Sequence, residues 1–160
     1  MVKISRYVTY KEAVKSQQAE RLGIDNTPNE EQLKNMRFIG ENIFDKVRLF
    51  VGGILFVSSF FRCRLLNMAI GGSKSSQHCE GLAIDIDADV YQSNGKTNKD
   101  IFFFILRNLE FDQLIWEFGD NNQPAWVHVS ARPDGRNRKQ VLRAKRVGMR
   151  TVYVPFEQAA

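Results

Sequence analysis

Both histidines of the 160-residue sequence stand where strand-like alternation meets acidic residues. His78 lies in the polar loop GGSKSSQHCEG (71–81), which runs straight into the alternating segment LAIDID (82–87). His128 lies inside a second alternating segment, AWVHVSA (125–131). Residues two apart on a strand share a face. Asp85 and Asp87 therefore oppose Ile84 and Ile86, while Trp126, His128 and Ser130 oppose Val127 and Val129. In QLIWEF (113–118), Glu117 takes the face opposite Leu114, Trp116 and Phe118. Each segment thus offers an apolar face to a core and a polar face to chemistry. If the polar faces coincide, His78, Asp85 and His128 surround one ion with Glu117 nearby. Two imidazoles and a carboxylate suit Zn²⁺, with a fourth position left for water, the mark of a catalytic rather than a closed structural site. Spacing alone is weak evidence here, because His-x₆-Asp is far less diagnostic than His-Glu-x-x-His.

The elements that must position these groups are readable from local signals. Thr9 and Glu12 have capping-box spacing, opening a helix that ends near Gly23. Thr27-Pro28-Asn29-Glu30 opens a second, with Pro28 at the first helical position. Leu33, Met36, Ile39, Ile43, Phe44 and Val47 then recur at helical spacing to about Arg48. ILFVSSFF (54–61) reads as a buried strand and RCRLLNMAI (62–70) as a short helix stopped by Gly71-Gly72. KDIFFFILRNL (99–109) is an apolar helix, and GDNNQP (119–124) joins the Glu117 and His128 strands as a hairpin. KQVLRAKR (139–146) and RTVYVP (150–155) are further strand candidates. Helices first and strands later predict an α+β fold, two N-terminal helices packed on a mainly antiparallel sheet. A chain of this length suits a single domain over 1–160, with its core at about 8–145 and a basic strand segment at 132–155.

Hydrophobic content of 43% with 26% charged residues excludes wholesale disorder. No apolar run approaches the ~18 residues a membrane span needs. The N-terminal MVKISRYVTYKEAVKSQQAE lacks the apolar core of a secretory signal, so the expectation is synthesis in the cytoplasm. Cys63 and Cys79 are too few for a disulfide scaffold and read as small buried apolar residues. Zinc ligation by Cys79 is disfavoured, since it adjoins His78 and chain neighbours seldom converge on one ion. The net charge of +5 is concentrated: Arg132–Arg150 holds eight Lys/Arg against Asp134, making that segment +7 and the remainder −2. Such a patch favours an anionic partner, nucleic acid, a membrane surface or an acidic cell-wall polymer, or else is a solvated edge. No nucleic-acid-binding motif accompanies it, and Tyr153 and Phe156 come only after it, so nucleic acid is not the expected partner.

Taken together, Ser76-x-His78-x-x-Gly81-x-Ala83-x-Asp85 followed by Trp126-x-His128 resembles the zinc D-Ala-D-Ala carboxypeptidase family. That family includes D-Ala-D-Ala dipeptidases and phage L-alanyl-D-glutamate endopeptidases, and shares its fold with hedgehog signalling domains. A phage and bacterial branch has the pattern S-x-F-R-C-x-x-L-N-x-x-I-G-G-S-x-x-S-Q-H. Here it reads Ser59-Phe60-Phe61-Arg62-Cys63, Leu66-Asn67, Ile70-Gly71-Gly72-Ser73 and Ser76-Gln77-His78. The resemblance covers roughly residues 8 to 145.

It implies one zinc ion held by His78, Asp85 and His128, with water in the fourth position. Arg62 matches an arginine that binds the substrate's carbonyl or carboxylate, and Ser76 and Trp126 are implied substrate contacts. Gly81 is implied to supply a backbone conformation that side chains forbid, and Asp87 a supporting rather than a ligating role. There is one departure. The dipeptidase branch places its catalytic glutamate three residues before the last histidine, where this sequence has Ala125. Glu117 on the preceding strand is the best substitute, ahead of the loop residues Glu80 and Asp120. The expected function is a zinc peptidase on peptidoglycan stem peptides or cross-links, carboxypeptidase or endopeptidase, endolysin-like. It would reach the wall after release or as part of a virion, with residues 132–150 drawn to anionic wall polymer. The alternative is a non-catalytic zinc-fold protein, structural or wall-binding, of a phage particle.

Overall fold

The computed structural model describes residues 2–157. Helix α1 (Tyr10–Val14) begins at the expected capping box of Thr9 and Glu12. The helix is not continuous to Gly23, because Ser16 turns extended and caps a separate helix α2 (Gln17–Leu22), which Gly23 then ends. The cap of the next helix also differs from the sequence reading. Thr27 is occupied by Asp25, whose carboxylate accepts from its N–H and hydroxyl. Asn29 and Gln32 form the reciprocal capping box instead, so Pro28 precedes the cap.

From there α3 (Glu30–Ile39), a π turn (Gly40–Phe44) and α4 (Asp45–Val51) follow without a break, past Arg48 to a left-handed Gly52. Met36, Ile39, Ile43, Phe44, Val47 and Val51 along this helical run are all buried. Strand β1 (Phe56–Ser59) is shorter than the apolar run that contains it. Next come α5 (Arg64–Ala69), β2 (Ala83–Asp87), α6 (Asn98–Asn108), β3 (Gln113–Glu117) and β4 (Trp126–Ser130). The chain ends in a β5 (Gln140–Val147) and β6 (Arg150–Pro155) pair.

The six strands form one sheet in the order β1-β2-β4-β3-β5-β6. Every pairing is antiparallel except β3 with β5, as a mainly antiparallel α+β fold requires. One face of the sheet presents Ile84, Ile86, Leu114, Trp116, Val127 and Val129 to the helices, where all are buried in the hydrophobic core. Phe50 of α4 and Phe104 of α6 stack with centroids 4.2 Å apart, closing the helical layer. The opposite face carries Asp85, His128 and Glu117, so the predicted alternation divides the sheet into a packing face and a polar face. No helix among the described residues is long and apolar enough to cross a membrane.

The parallel pair requires the chain after β4 to pass across the end of β3. That crossing is fastened by Asp112, which is wholly buried. Its backbone N–H donates to Ser130 O at 2.7 Å, and its carbonyl accepts from Gln140 N at 2.9 Å. Its carboxylate accepts from the Arg138 guanidinium at 2.7 Å, the Arg138 N–H at 2.9 Å and Arg132 Nε at 2.9 Å. Burial alone would raise the Asp112 pKa, but the Arg138 contacts, aided by Arg132, outweigh it and hold the carboxyl down at about 2.

A carboxylate ionised more readily folded than unfolded stabilises the fold above the unfolded pKa of about 4, and loses that effect as pH falls through the folded value. Asp112→Asn is expected to cost about 3 kcal/mol at neutral pH, the low end for breaking a buried pair because both arginines are half exposed. Urea unfolding should show the gap between wild type and variant narrowing from about pH 4 down through the folded pKa of about 2. A gap independent of pH would refute this role.

Candidate metal centre

His78 is presented by a loop with little freedom. The Asn67 side-chain amide donates to Ser73 O at 2.8 Å, and the Gly72 N–H donates to Asn67 O at 2.8 Å. A Cβ on Gly72 would fall 2.1 Å from Asn67 Oδ1, so only glycine fits the approach. The single 3₁₀ turn Gln77–Glu80 follows, and Gly81 ends it at φ +72°, as expected for a position that disfavours side chains. A Cβ there would meet Gln32 O at 2.6 Å. Helix α3 grips this turn through Gln32 Nε2 on Cys79 O at 2.9 Å and Asn35 Nδ2 on Glu80 O at 2.8 Å. Gln77 Nε2 donates to Asp112 Oδ2 at 3.1 Å, so the fastener of the β4–β5 crossing also holds the neighbour of His78.

Asp85 and His128 need no loop to meet, because they are directly paired across β2 and β4. His78 Nε2 lies 3.2 Å from Asp85 Oδ1 and 3.3 Å from His128 Nδ1, and His128 Nδ1 lies 2.8 Å from the same Asp85 oxygen. The second nitrogen of His78 is 2.6 Å from Phe60 O. A carbonyl can only accept, so Nδ1 carries the proton and Nε2 turns its lone pair to the cluster. Burial lowers the pKa of His78 and favours that neutral form. Burial would raise the pKa of Asp85, but the His128 Nδ1, 2.8 Å from its oxygen, helps hold the carboxyl far below the usual range.

His78, Asp85 and His128 form a group able to hold a metal ion, with all donor atoms within 4.8 Å of one another. Two of the three donor separations fit zinc geometry. Zinc bonds of about 2.0–2.2 Å in a tetrahedron put neighbouring donors roughly 3.3–3.5 Å apart. The two separations to His78, 3.2 and 3.3 Å, are close to that, while the Asp85–His128 contact at 2.8 Å is shorter. Two nitrogens and one oxygen, neutral and anionic, also match zinc chemically.

A cavity of about 550 Å³ opens over the cluster. Its walls bring together the expected ligands, catalytic groups and substrate contacts: Arg62, Ser76, His78, Asp85, Glu117, Trp126 and His128. Glu117 is buried, and loss of water pushes its pKa up to about 7, with Asp85 adding to the rise and His128 and Arg62 opposing it. Ala125, which stands where a glutamate was missing, donates its N–H to Glu117 O at 2.8 Å. The carboxylate therefore arrives from the strand hydrogen-bonded to that position. Arg62 donates its N–H to His78 O at 3.3 Å, and its buried Nε has no hydrogen-bond partner. Asp87 instead accepts from Asp89 N and Asn98 Nδ2, outside the cluster. Glu80 pairs with Arg64, and Asp120 folds onto the N–H groups of Asn122 and Gln123, so neither lines the cavity. Neither cysteine joins the metal-ligating group: both are free thiols, Cys79 buried and Cys63 partly so.

Phe118 corrects the alternation. Its left-handed backbone (φ 51°) ends β3 at Glu117, and its ring packs on Trp126 with centroids 5.3 Å apart, in the wall of the cavity. Gln113 and Ile115 also line it, on the face of Glu117 that alternation already marked. Arg132 and Arg138 reach it from the crossing between β4 and β5 and Tyr153 from β6, placements that long-range strand pairing sets.

A search of curated proteins finds no match to the chain. A family model described as Peptidase M15 matches residues 6–130, from before α1 to the end of β4, and so includes His78, Asp85, Glu117 and His128. The β5–β6 pair lies beyond the matched stretch. Peptidases of this family use zinc, which the His–Asp–His group is able to bind. By this match over most of its length, the chain belongs to the Peptidase M15 family.

Proposed function

We propose that the protein is a zinc-dependent peptidase that hydrolyses amide bonds of peptidoglycan stem peptides or cross-links. One observation carries the reading: a His–Asp–His group able to hold a metal shares its cavity with a buried carboxyl of raised pKa. Acid–base chemistry near neutral pH needs a group of that kind.

In this reading His78 Nε2, Asp85 Oδ1 and His128 Nδ1 hold the ion, and Phe60 O fixes the His78 tautomer. When bound, zinc supplies a Lewis acid and a source of hydroxide at neutral pH. The Glu117 carboxylate accepts a proton from the attacking water as its oxygen bonds to the carbonyl carbon. It returns that proton to the amine nitrogen as the C–N bond breaks. The Arg62 guanidinium holds the carbonyl oxygen while negative charge develops there. Ser76 and Trp126 flank the substrate. The enzyme acts endolysin-like, on the wall after release or from a virion.

The basic C-terminal segment contributes less free charge than its composition suggests. Arg132 and Arg138 serve Asp112, Arg136 pairs with Asp134 and Lys139 with Glu110. Exposed Lys145, Arg146 and Arg150 on β5–β6 remain to draw the enzyme to anionic wall polymer.

Zinc is expected to raise the thermal midpoint of the wild type, and a chelator to abolish release of new amino termini from purified muropeptides. His128→Ala should lose both effects; full hydrolysis in chelator would refute the reading. Glu117→Gln should keep the zinc-induced thermal shift while turnover falls by about 100- to 10,000-fold. Near-normal turnover would assign the proton transfer elsewhere. Digestion of intact walls should slow between 0.05 and 0.5 M salt, on the order of the range over which screening becomes complete, with soluble peptides much less affected.

A further inference from the structure

A second cavity, about 410 Å³, meets the first at the candidate metal centre. It lies between the α1–α2 corner at Lys15–Gln18 and strand β1. Arg62 and Asp85 line both cavities. The cluster thus stands at the junction of a cleft with two arms, not at the closed end of one pocket. Each arm falls within the range of roughly 300–1,000 Å³ that ligand clefts occupy.

Three features of the second arm suit one kind of occupant. Strand β1 pairs only with β2 among the described residues, so its outer edge offers unpaired backbone groups to an extended peptide. A bulge at Ser58 changes the register, since Phe56 aligns with Asp87 and Ser59 with Asp85. Phe56 and Ser59 are thereby both brought to the polar face of the sheet, with Ser59 beside Asp85. The arm is also electropositive. Lys15 is exposed and has no ion-pair partner among the described residues, and the Arg62 Nε is buried with no hydrogen-bond partner. Asp85 is the only acid in its lining, and that carboxylate belongs to the metal group.

We infer that the second arm is a substrate subsite: it holds peptide beyond the scissile bond, extended along β1, with an acidic group beside Lys15. The enzyme then cuts within a peptide chain rather than trimming its end. This rests on the peptidase reading above, and the test separates the two.

Zinc-loaded wild type is incubated with purified cross-linked muropeptides, and the products are identified by mass spectrometry. Cleavage of internal bonds is expected; release of terminal residues alone overturns the inference. Affinity is measured separately by calorimetry on Glu117→Gln, which binds without turnover, using the same muropeptides with carboxylates free or amidated. Amidation, or adding Lys15→Glu, should each weaken binding about tenfold, and Ser58→Trp, which fills the arm from an exposed position, should do the same. Affinities unchanged within twofold by all three overturn the subsite. If wild type cleaves nothing, the peptidase reading falls, while the calorimetry still decides whether the arm binds acidic peptide.

Discussion

Three lone-pair-bearing atoms, on His78, Asp85 and His128, are held within 3.3 Å of one another, and much of the surrounding structure exists to keep them there. Without a cation, His128 and Asp85 make a 2.8 Å hydrogen bond, but the His78 lone pair faces the same Asp85 oxygen, an unfavourable arrangement. It persists because each side chain is held independently. Asp85 and His128 are tied by strand pairing, and His78 by the Phe60 carbonyl on one side and the α3 grip on its turn. A rigid frame suits a zinc peptidase, since positions that cannot relax are pre-organised for the ion.

The same frame explains how a carboxyl can serve the site from a neighbouring strand. A hairpin of fixed register places Glu117 opposite Trp126, two residues along β4 from His128 and on the same face. A glutamate three residues before that histidine is then unnecessary, because Ala125 and Glu117 are hydrogen-bonded neighbours. Burial supplies what the position alone cannot, by desolvating the carboxyl until it titrates near neutrality.

Asp112 links architecture to chemistry. One buried carboxylate fastens the crossing that makes β5 parallel to β3, and through Gln77 it reaches the histidine turn. The crossing brings Arg132, Arg138 and Tyr153 to the cavity, so two of the eight cations of the basic segment are committed to the buried Asp112. Charge counted along a sequence does not reveal which cations are already paired.

The alternation of Asp85, His128 and Glu117 with apolar neighbours was legible in the sequence, because a period of two assigns faces without knowledge of the fold. The capping box at Thr9, the helical spacing from Met36 to Val47 and the Glu117–Trp126 hairpin were legible for similar reasons, each resting on contacts a few residues apart. The likeness of the histidine loop and its neighbours to a zinc peptidase family was legible too, and the family match bears it out. The break at Ser16, the shift of a helix cap to Asn29 and the inward turn of Phe118 were not, since each turns on competition between nearby backbone and side-chain partners. Asp112 and the two-armed cleft were further out of reach. They depend on which distant segments meet, and only the packed tertiary structure, with its crossing loop and free β1 edge, decides that.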